Sequence, residues 1–256
     1  MDTLKNEKLK TFFGQHGNVA VAFSGGVDSS VLLLFAVKYA KRVKAYFVKS
    51  QFQPQFELDD AKEIAEKLGV DLKVINADVL SDKVIAANPE NRCYYCKRRV
   101  FSAILSAAES DGFDTVLDGT NATDDIADRP GFKALQEMKV LSPLKECGIS
   151  KKEIRAVAKE NGLLVADKPS YACLATRIPC GTVITNELLS TTEKAENELM
   201  ALGFKNFRVR YENGAAKLEL GKKEHELLKE KRENVFAALS NYYNEIRIDL
   251  KERADE

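Results

Sequence analysis

The apolar run 19–23 (VAVAF) stops at Ser24-Gly25-Gly26, and apolar residues resume over 31–40. A buried strand, a glycine turn and a helix in immediate succession open an α/β fold. The alternation continues down the chain. Residues 43–48 read as a second buried strand, 57–68 (ELDDAKEIAEKL) carry helical spacing stopped by Gly69, and 72–76 read as a third strand. A helix is predicted over 96–108 with Gly112 beyond its end, and 115–117 form a fourth strand running into Asp118-Gly119-Thr120-Asn121. Short strands alternating with helices predict a parallel sheet with helices on both faces. In such a sheet a ligand lies at the carboxyl ends of the strands, where the Ser24 and Asp118 turns both fall.

Further on, Ser150 is the predicted N-cap of a helix over 150–161, with Glu153 completing a capping box and Gly162 closing it. Residues 167–185 are polar, proline-punctuated and aperiodic, the composition of a long functional loop. A helix over 186–202 ends at Gly203, and strands over 208–211 and 216–220 pair around the hairpin signal Asn213-Gly214. A helix over 222–240 and a strand over 245–250 complete a small α+β unit. The expected organisation is therefore an α/β domain over 1–180 and a small α+β domain over 181–256.

Composition excludes some classes. Lys+Arg and Asp+Glu stand at 39 each, so no global basic field favours nucleic acid. No apolar run approaches the roughly 20 residues that span a bilayer. The first ten residues carry charges throughout and lack the apolar core of a signal peptide, which gives the cytoplasm as the expected compartment. Five cysteines, an odd number, favour metal or reactive-thiol roles over a disulfide framework in a reducing compartment. With His16 and His225 the only histidines, acid–base schemes built on imidazole have few candidates.

The turn Ser24-Gly25-Gly26-Val27-Asp28-Ser29-Ser30 has the chemistry of an anion cradle. Gly25 and Gly26 let the backbone bend and present N–H groups, and the following helix aims its positive dipole end at the same point. Ser24, Ser29 and Ser30 add hydroxyl donors, and Asp28 is placed to bind Mg²⁺ bridging phosphates. The Gly-Lys-Ser/Thr ending of a Walker A loop is absent. A tight strand–helix turn without a ligand is the plain alternative. At the second strand end, Gly119, Thr120 and Asn121 stand ready for phosphate or adenine, and Asp124 and Asp125 for Mg²⁺ or ribose. The plain alternative there is an Asp-Gly turn with surface acids. Arg129 beyond it offers a guanidinium suited to phosphate or carboxylate.

SGGVDSS resembles the PP-loop of the N-type ATP pyrophosphatases, which include GMP synthetase, NAD synthetase, asparagine synthetase and several tRNA thiolases. That resemblance implies binding of the pyrophosphate part of ATP and transfer of AMP to substrate. Six further stretches sharpen it: NRCYYCKRR (91–99), DGTNATDDIADRPG (118–131), SPL (142–144), KKEIRAVAKENGL (151–163), DKPSYACLATRIPCGT (167–182) and FRVRYEN (207–213). In this order the chain resembles the LarE-type sulfur transferases of nickel-pincer nucleotide synthesis. The resemblance implies adenylylation of the carboxylates of pyridinium-3,5-biscarboxylic acid mononucleotide and replacement of AMP by sulfur, with homo-oligomeric assembly and a second domain, 181–256, that serves substrate binding and oligomer contacts. It makes Cys173, in the loop ACLATR, and Asp28 catalytic candidates. It also assigns substrate contacts to Arg177, Arg208 and Arg210, with solvated surface arginines as the alternative.

Two sulfur sources are implied, a sacrificial loop cysteine or a [4Fe–4S] cluster on three cysteines fed by inorganic sulfide or a sulfur-donating protein. The C-x-x-C pair Cys93 and Cys96, with Cys173 as third thiolate, favours the cluster. A structural zinc site and a redox dithiol compete with it. Cys147 reads as a core thiol, Cys180 is unassigned, and surface roles are the default for both histidines. Three other classes compete: a tRNA thiolase, an amidotransferase-type synthetase, and a non-catalytic zinc-binding module that leaves SGGVDSS unexplained.

Overall fold

The computed structural model describes residues 3–125 and 130–253. They form two compact units. The first runs to Val79 and resumes over Asn91–Lys168, and the second takes Leu80–Glu90 and the chain from Pro169 onward. The division thus falls at Lys168 rather than near residue 180, and the second unit also takes a segment from the first half. Hydrogen bonds explain that placement. Asn88 Nδ2 donates to Pro179 O at 2.8 Å, Gly181 N to Asn88 O at 2.8 Å and Ile184 N to Ala86 O at 2.8 Å.

In chain order the elements are α1 (Thr3–Gln15), β1 (Asn18–Ala22), α2 (Val27–Tyr39), β2 (Arg42–Lys49), α3 (Gln55–Lys67), β3 (Leu72–Asn76), α4 (Lys83–Ala86), α5 (Arg92–Ser110) and β4 (Thr115–Leu117). Then come α6 (Pro130–Glu137), α7 (Pro143–Glu146), α8 (Lys151–Glu160), a 3₁₀ turn (Leu174–Arg177), α9 (Asn186–Ala201), β5 (Phe207–Glu212), β6 (Ala215–Leu220), α10 (Lys222–Leu239) and β7 (Ile246–Ile248).

The first unit holds a four-stranded parallel sheet in the order β3-β2-β1-β4. Because successive strand residues point to opposite faces, β1 and β2 feed two cores. Val19, Val21, Ala45 and Phe47 join one core with Leu9 and Phe13 of α1, Val31 and Leu32 of α2, and Ile154 of α8. Ala20, Tyr46 and Val48 join the other with Phe101 and Ile104 of α5 and Leu135 of α6. Both faces are covered, which is why the strand sequences read as continuous apolar runs. α2 is buried over most of its circumference, as a helix so apolar must be.

Two helices begin earlier than their apolar spacing suggests. α2 starts at Val27, because Asp28, Ser29 and Ser30 form its first turn, and α5 starts at Arg92, which brings Cys93 into the helix. α8 opens with the expected capping box, Ser150 Oγ accepting from Glu153 N and Glu153 returning to Ser150 N. Lys5 Nζ donates to the same Glu153 at 2.7 Å and ties α1 to that helix start.

The second unit contains a three-stranded sheet in the order β5-β6-β7. β5 and β6 are antiparallel, joined by Asn213 and Gly214 at φ 51° and 89°, the positive values that a primed two-residue hairpin requires. α9 and α10 supply Leu199, Leu228, Val235 and Leu239 to a core shared with Val209, Leu218 and Leu220. Among the described residues no helix is long and apolar enough to cross a membrane.

Asp111 stitches the end of α5 to the sheet. It accepts from Tyr46 Oη at 2.9 Å and from Lys73 Nζ at 3.0 Å, and Lys44 Nζ lies 3.1 Å away. Hydrogen bonds from Lys73 first, then Lys44 and Tyr46, hold its carboxyl down to about 2. A depressed carboxyl stabilises the fold above its unfolded value of about 4, and that contribution disappears as pH falls through the folded value. Asp111→Asn is therefore expected to lower the urea midpoint at neutral pH. The gap to the parent protein should close between pH 4 and pH 2 in parallel titrations followed by circular dichroism.

Candidate active site

The strand order turns outward in opposite directions at β1 and β4, so a crevice opens beyond their carboxyl ends. The turn after each strand lines it. After β1, Gly25 adopts φ 74°, and a Cβ there would stand 2.9 Å from Glu57 O and 3.2 Å from Ala61 N of α3. Only glycine satisfies both the backbone angle and the space. Gly26 caps α2 without a side-chain hydrogen bond, leaving the N–H groups of the helix's first turn to face the crevice.

The serines close the loop on itself. Ser29 Oγ donates to Gly26 O at 3.1 Å and lies 3.1 Å from Ser24 Oγ. Ser30, expected as a phosphate donor, is wholly buried, and both its N–H and its hydroxyl go to Gly26 O. Its role is to fix the turn, which corrects the expectation. Ser24 N also donates to Ser29 Oγ, so the donors left to meet an anion belong to the α2 start.

After β4, Gly119 comes up against the same helix start. A Cβ on it would stand 2.9 Å from Ser29 N and 3.2 Å from Asp28 C. Asp118 is buried and accepts from Ser142 Oγ and Thr120 Oγ1. Thr120 is thus turned toward Asp118, not outward as expected. Asn121 Nδ2 donates to Asp28 Oδ1 at 3.1 Å, and Lys151 Nζ meets Asp28 Oδ2 at 2.5 Å. Asp125 is exposed further along the loop, and Arg129 lies outside the described residues. Lys151 is a site residue that sequence reasoning missed. A cation at the first position of a helix opposes the helix dipole, and that misfit was the available signal.

Cys93 and Cys96 stand three residues apart on α5 and so share one face. Cys93 is exposed, with Arg92 Nη2 at 3.7 Å from its sulfur. Cys147 is a core thiol whose pKa burial pushes up. Cys173, at the start of the 3₁₀ turn, and Cys180, whose thiol donates to Asn88 O, belong to the second unit. Among the described residues no group of three His, Cys, Asp or Glu side chains is placed to hold a metal ion. Within the first unit, Cys93 and Cys96 are brought onto one helical face.

The arginines of the second unit divide. Arg177, expected to reach substrate, is enclosed. Its side chain is 0% exposed and pairs with Glu196 through Nε at 2.8 Å and Nη2 at 3.1 Å. Nη1 donates to Ala172 O and Thr176 Oγ1, and the guanidinium lies 4.4 Å from the centre of the Tyr171 ring. Glu196 in turn accepts from Tyr171 Oη and Val209 N. Arg177 is therefore the internal strut of the loop that carries Cys173. Arg208 and Arg210 do alternate on one face of β5, opposite the buried Phe207 and Val209. Arg210 is braced by Glu219 and donates to Thr176 O. His225, expected at the surface, is half-buried with Nε2 lacking a hydrogen-bond partner.

A glycine-bent turn between strand and helix, at the switch point of a parallel sheet, defines a PP-loop ATP pyrophosphatase. The asparagine synthase family matches residues 14–122, the span that carries both turns. The chain is 36% identical over 204 residues to the pyridinium-3,5-bisthiocarboxylic acid mononucleotide synthase of Lactiplantibacillus plantarum, covering 79% of this chain and 74% of that protein. It is 37% identical to an uncharacterized protein of Synechocystis sp., over 84% of this chain and 81% of the other. A tRNA-specific 2-thiouridylase of Fervidobacterium nodosum is 30% identical over 59% of this chain and 53% of its own length. The chain belongs to the LarE family of PP-loop enzymes.

Substitutions at the Gly119 turn and at the Arg177–Glu196 pair check this geometry. Gly119→Ala should weaken ATP binding by about tenfold or more, about 1.4 kcal/mol, because its methyl group displaces the Ser29 amide. Gly14→Ala, where a Cβ meets nothing within 4 Å, should bind ATP normally in the same calorimetric titration. Arg177→Met strands Glu196 without its partner and should cost about 3–5 kcal/mol of stability. Adding Glu196→Leu should restore much of it in chemical denaturation.

Proposed function

We propose that this chain adenylylates the carboxylates of pyridinium-3,5-biscarboxylic acid mononucleotide with ATP and converts them to thiocarboxylates. The observation that carries this reading is 36% identity to a synthase of that name over 79% of the chain, with the glycine cradle intact. A carboxylate oxygen attacks the α-phosphorus, the bond from that phosphorus to the bridging oxygen of the β-phosphate breaks, and pyrophosphate departs. Sulfide then attacks the carbonyl carbon and AMP leaves, a far better leaving group than oxide.

Cradle and helix start hold the pyrophosphate portion, so that negative charge accumulating on the leaving group meets fixed N–H dipoles. Ser24, Gly25, Gly26 and Ser29 form that surface, with Gly119 closing it from the side. Asp28 supplies the hard oxygen donor that suits Mg²⁺, with Asp125 the second acid proposed near the nucleotide. Arg208 and Arg210, on one strand face, are the proposed partners of the substrate phosphate.

For the sulfur source, the proposed ligands of a [4Fe–4S] cluster are Cys93, Cys96 and Cys173. Two thiolates one helical turn apart would help hold such a group with Cys173, and the group would supply the sulfide that meets the acyl-adenylate. The wider proposal places a homo-oligomer in the cytoplasm, supplied by inorganic sulfide or a sulfur-donating protein. The likeness to a tRNA-specific 2-thiouridylase supports a second reading, a tRNA thiolase. Equal numbers of basic and acidic residues weigh against it.

ATP–pyrophosphate exchange that depends on the added pyridinium dicarboxylate nucleotide is the expected result, and exchange driven by tRNA instead would favour the second reading. Anaerobic reconstitution with iron and sulfide should load about four irons per chain. Cys93→Ser, Cys96→Ser and Cys173→Ser should each lose iron and the visible absorption band. Full sulfur transfer by the Cys96→Ser protein would remove the cluster from the scheme.

A further inference from the structure

We infer that Asn88 is a positioning residue for Cys173, holding the loop that carries the cysteine through both its side-chain amide and its backbone carbonyl. This rests on the reading of Cys173 as the group that handles sulfur. It deepens that reading with a residue outside every stretch that carries the family resemblance.

The argument begins with the backbone. Asn88 follows α4, a single turn of helix opened by Asp82, whose carboxylate accepts from Val84 N and Ile85 N. It adopts φ 55° and its N–H goes to Ile85 O, the left-handed arrangement that ends a helix. Ending α4 is the plain role of such a residue, and glycine would do that at least cost.

The side chain has a further use. Asn88 is 2% exposed, and a buried amide is unfavourable unless it is bonded. Nδ2 donates to Pro179 O at 2.8 Å and lies 3.3 Å from Ile178 O. The Asn88 carbonyl accepts from Gly181 N at 2.8 Å and from the Cys180 thiol at 3.3 Å. One residue thus meets four consecutive positions, 178–181, far along the chain and within the same unit. A glycine at 88 would keep the turn and the carbonyl but not the amide.

A stiff turn carries this grip to the cysteine. Cys173 opens the 3₁₀ turn Leu174–Arg177, and its carbonyl accepts from Thr176 N and Thr176 Oγ1, each at 2.9 Å. Leu174 and Ala175 are buried, and Arg177 is enclosed against Glu196. Asn88 secures the chain directly after that turn, while the half-buried Cys173 stands at its other end. Fixing one end of a rigid turn sets the place of the other.

Asn88→Gly in the full-length protein tests this, because glycine accepts the left-handed angle and removes only the side-chain bonds. Two lost hydrogen bonds favour local opening, so iodoacetamide alkylation of Cys173 should quicken by about tenfold or more. Amide exchange over residues 173–181 should quicken with it. Cys147, in the core of the first unit, should alkylate at the parent's rate, and ATP affinity should be unchanged. Leu239→Ala, in the core of the second unit, weakens that unit without touching the loop and should leave Cys173 near the parent's rate. After anaerobic reconstitution, Asn88→Gly should lose visible absorbance that Leu239→Ala keeps. Unchanged Cys173 alkylation in Asn88→Gly overturns the inference. An equal rise in Asn88→Gly and Leu239→Ala also overturns it, because the effect is then one of stability alone. A parent protein that takes up no iron brings down the cluster reading, and alkylation of Cys173 then decides the role of Asn88 by itself.

Discussion

Between the Gly119 α-carbon and the Ser29 amide there is no room for a methyl group. Two turns that lie far apart in sequence therefore meet backbone to backbone, and most of the site follows from that approach. It brings Asn121 within reach of Asp28 and sets Asp118 where Ser142 can satisfy it. The sheet makes the approach repeatable. β1 is locked in register with β2 on one side and β4 on the other, with Val19 opposite both Val43 and Thr115. Cores on both faces prevent the strands from sliding, since a one-residue slip would exchange the valines and alanines of β1 between them.

Elements governed by local signals were legible in the sequence. β3 and β4 occupy the expected residues, the Ser150 capping box is formed, and Asn213-Gly214 makes the hairpin. The cradle was legible as well, because a glycine pair between an apolar strand and an apolar helix has few other uses. What escaped depends on distant partners. Arg177 in ACLATR gives no local sign that Glu196, nineteen positions away, will enclose it. Ser30 looks like its neighbour Ser29 until the fold buries it. The division between units was misplaced because residues 80–90 form their backbone bonds with a loop almost a hundred residues later.

Two of the buried acids, Asp118 and Glu196, illustrate different solutions to one problem. A buried carboxylate is costly unless its oxygens are satisfied. Asp118 is held by hydroxyls and by no cation among the contacts described, which keeps the turn polar without adding positive charge beside the cradle. Glu196 is held by a guanidinium, a phenol and a backbone amide. That second arrangement is rigid and directional, and it sits under the loop bearing Cys173. Leu174, Ala175 and Ile178 of the same loop are buried beside it.

Family likeness divides along the chain in a way that fits this chemistry. The span shared with the asparagine synthase family, 14–122, contains the cradle and the Gly119 turn, the parts required for handling ATP. α8, the Cys173 loop and the arginines of β5 all lie beyond it. Activation of an oxygen by AMP transfer is the same step whatever acyl group follows, so its geometry can be conserved in outline. The C-x-x-C pair lies inside the matched span, in the first turns of α5, ahead of the Phe101, Ile104 and Ala108 that commit that helix to the core.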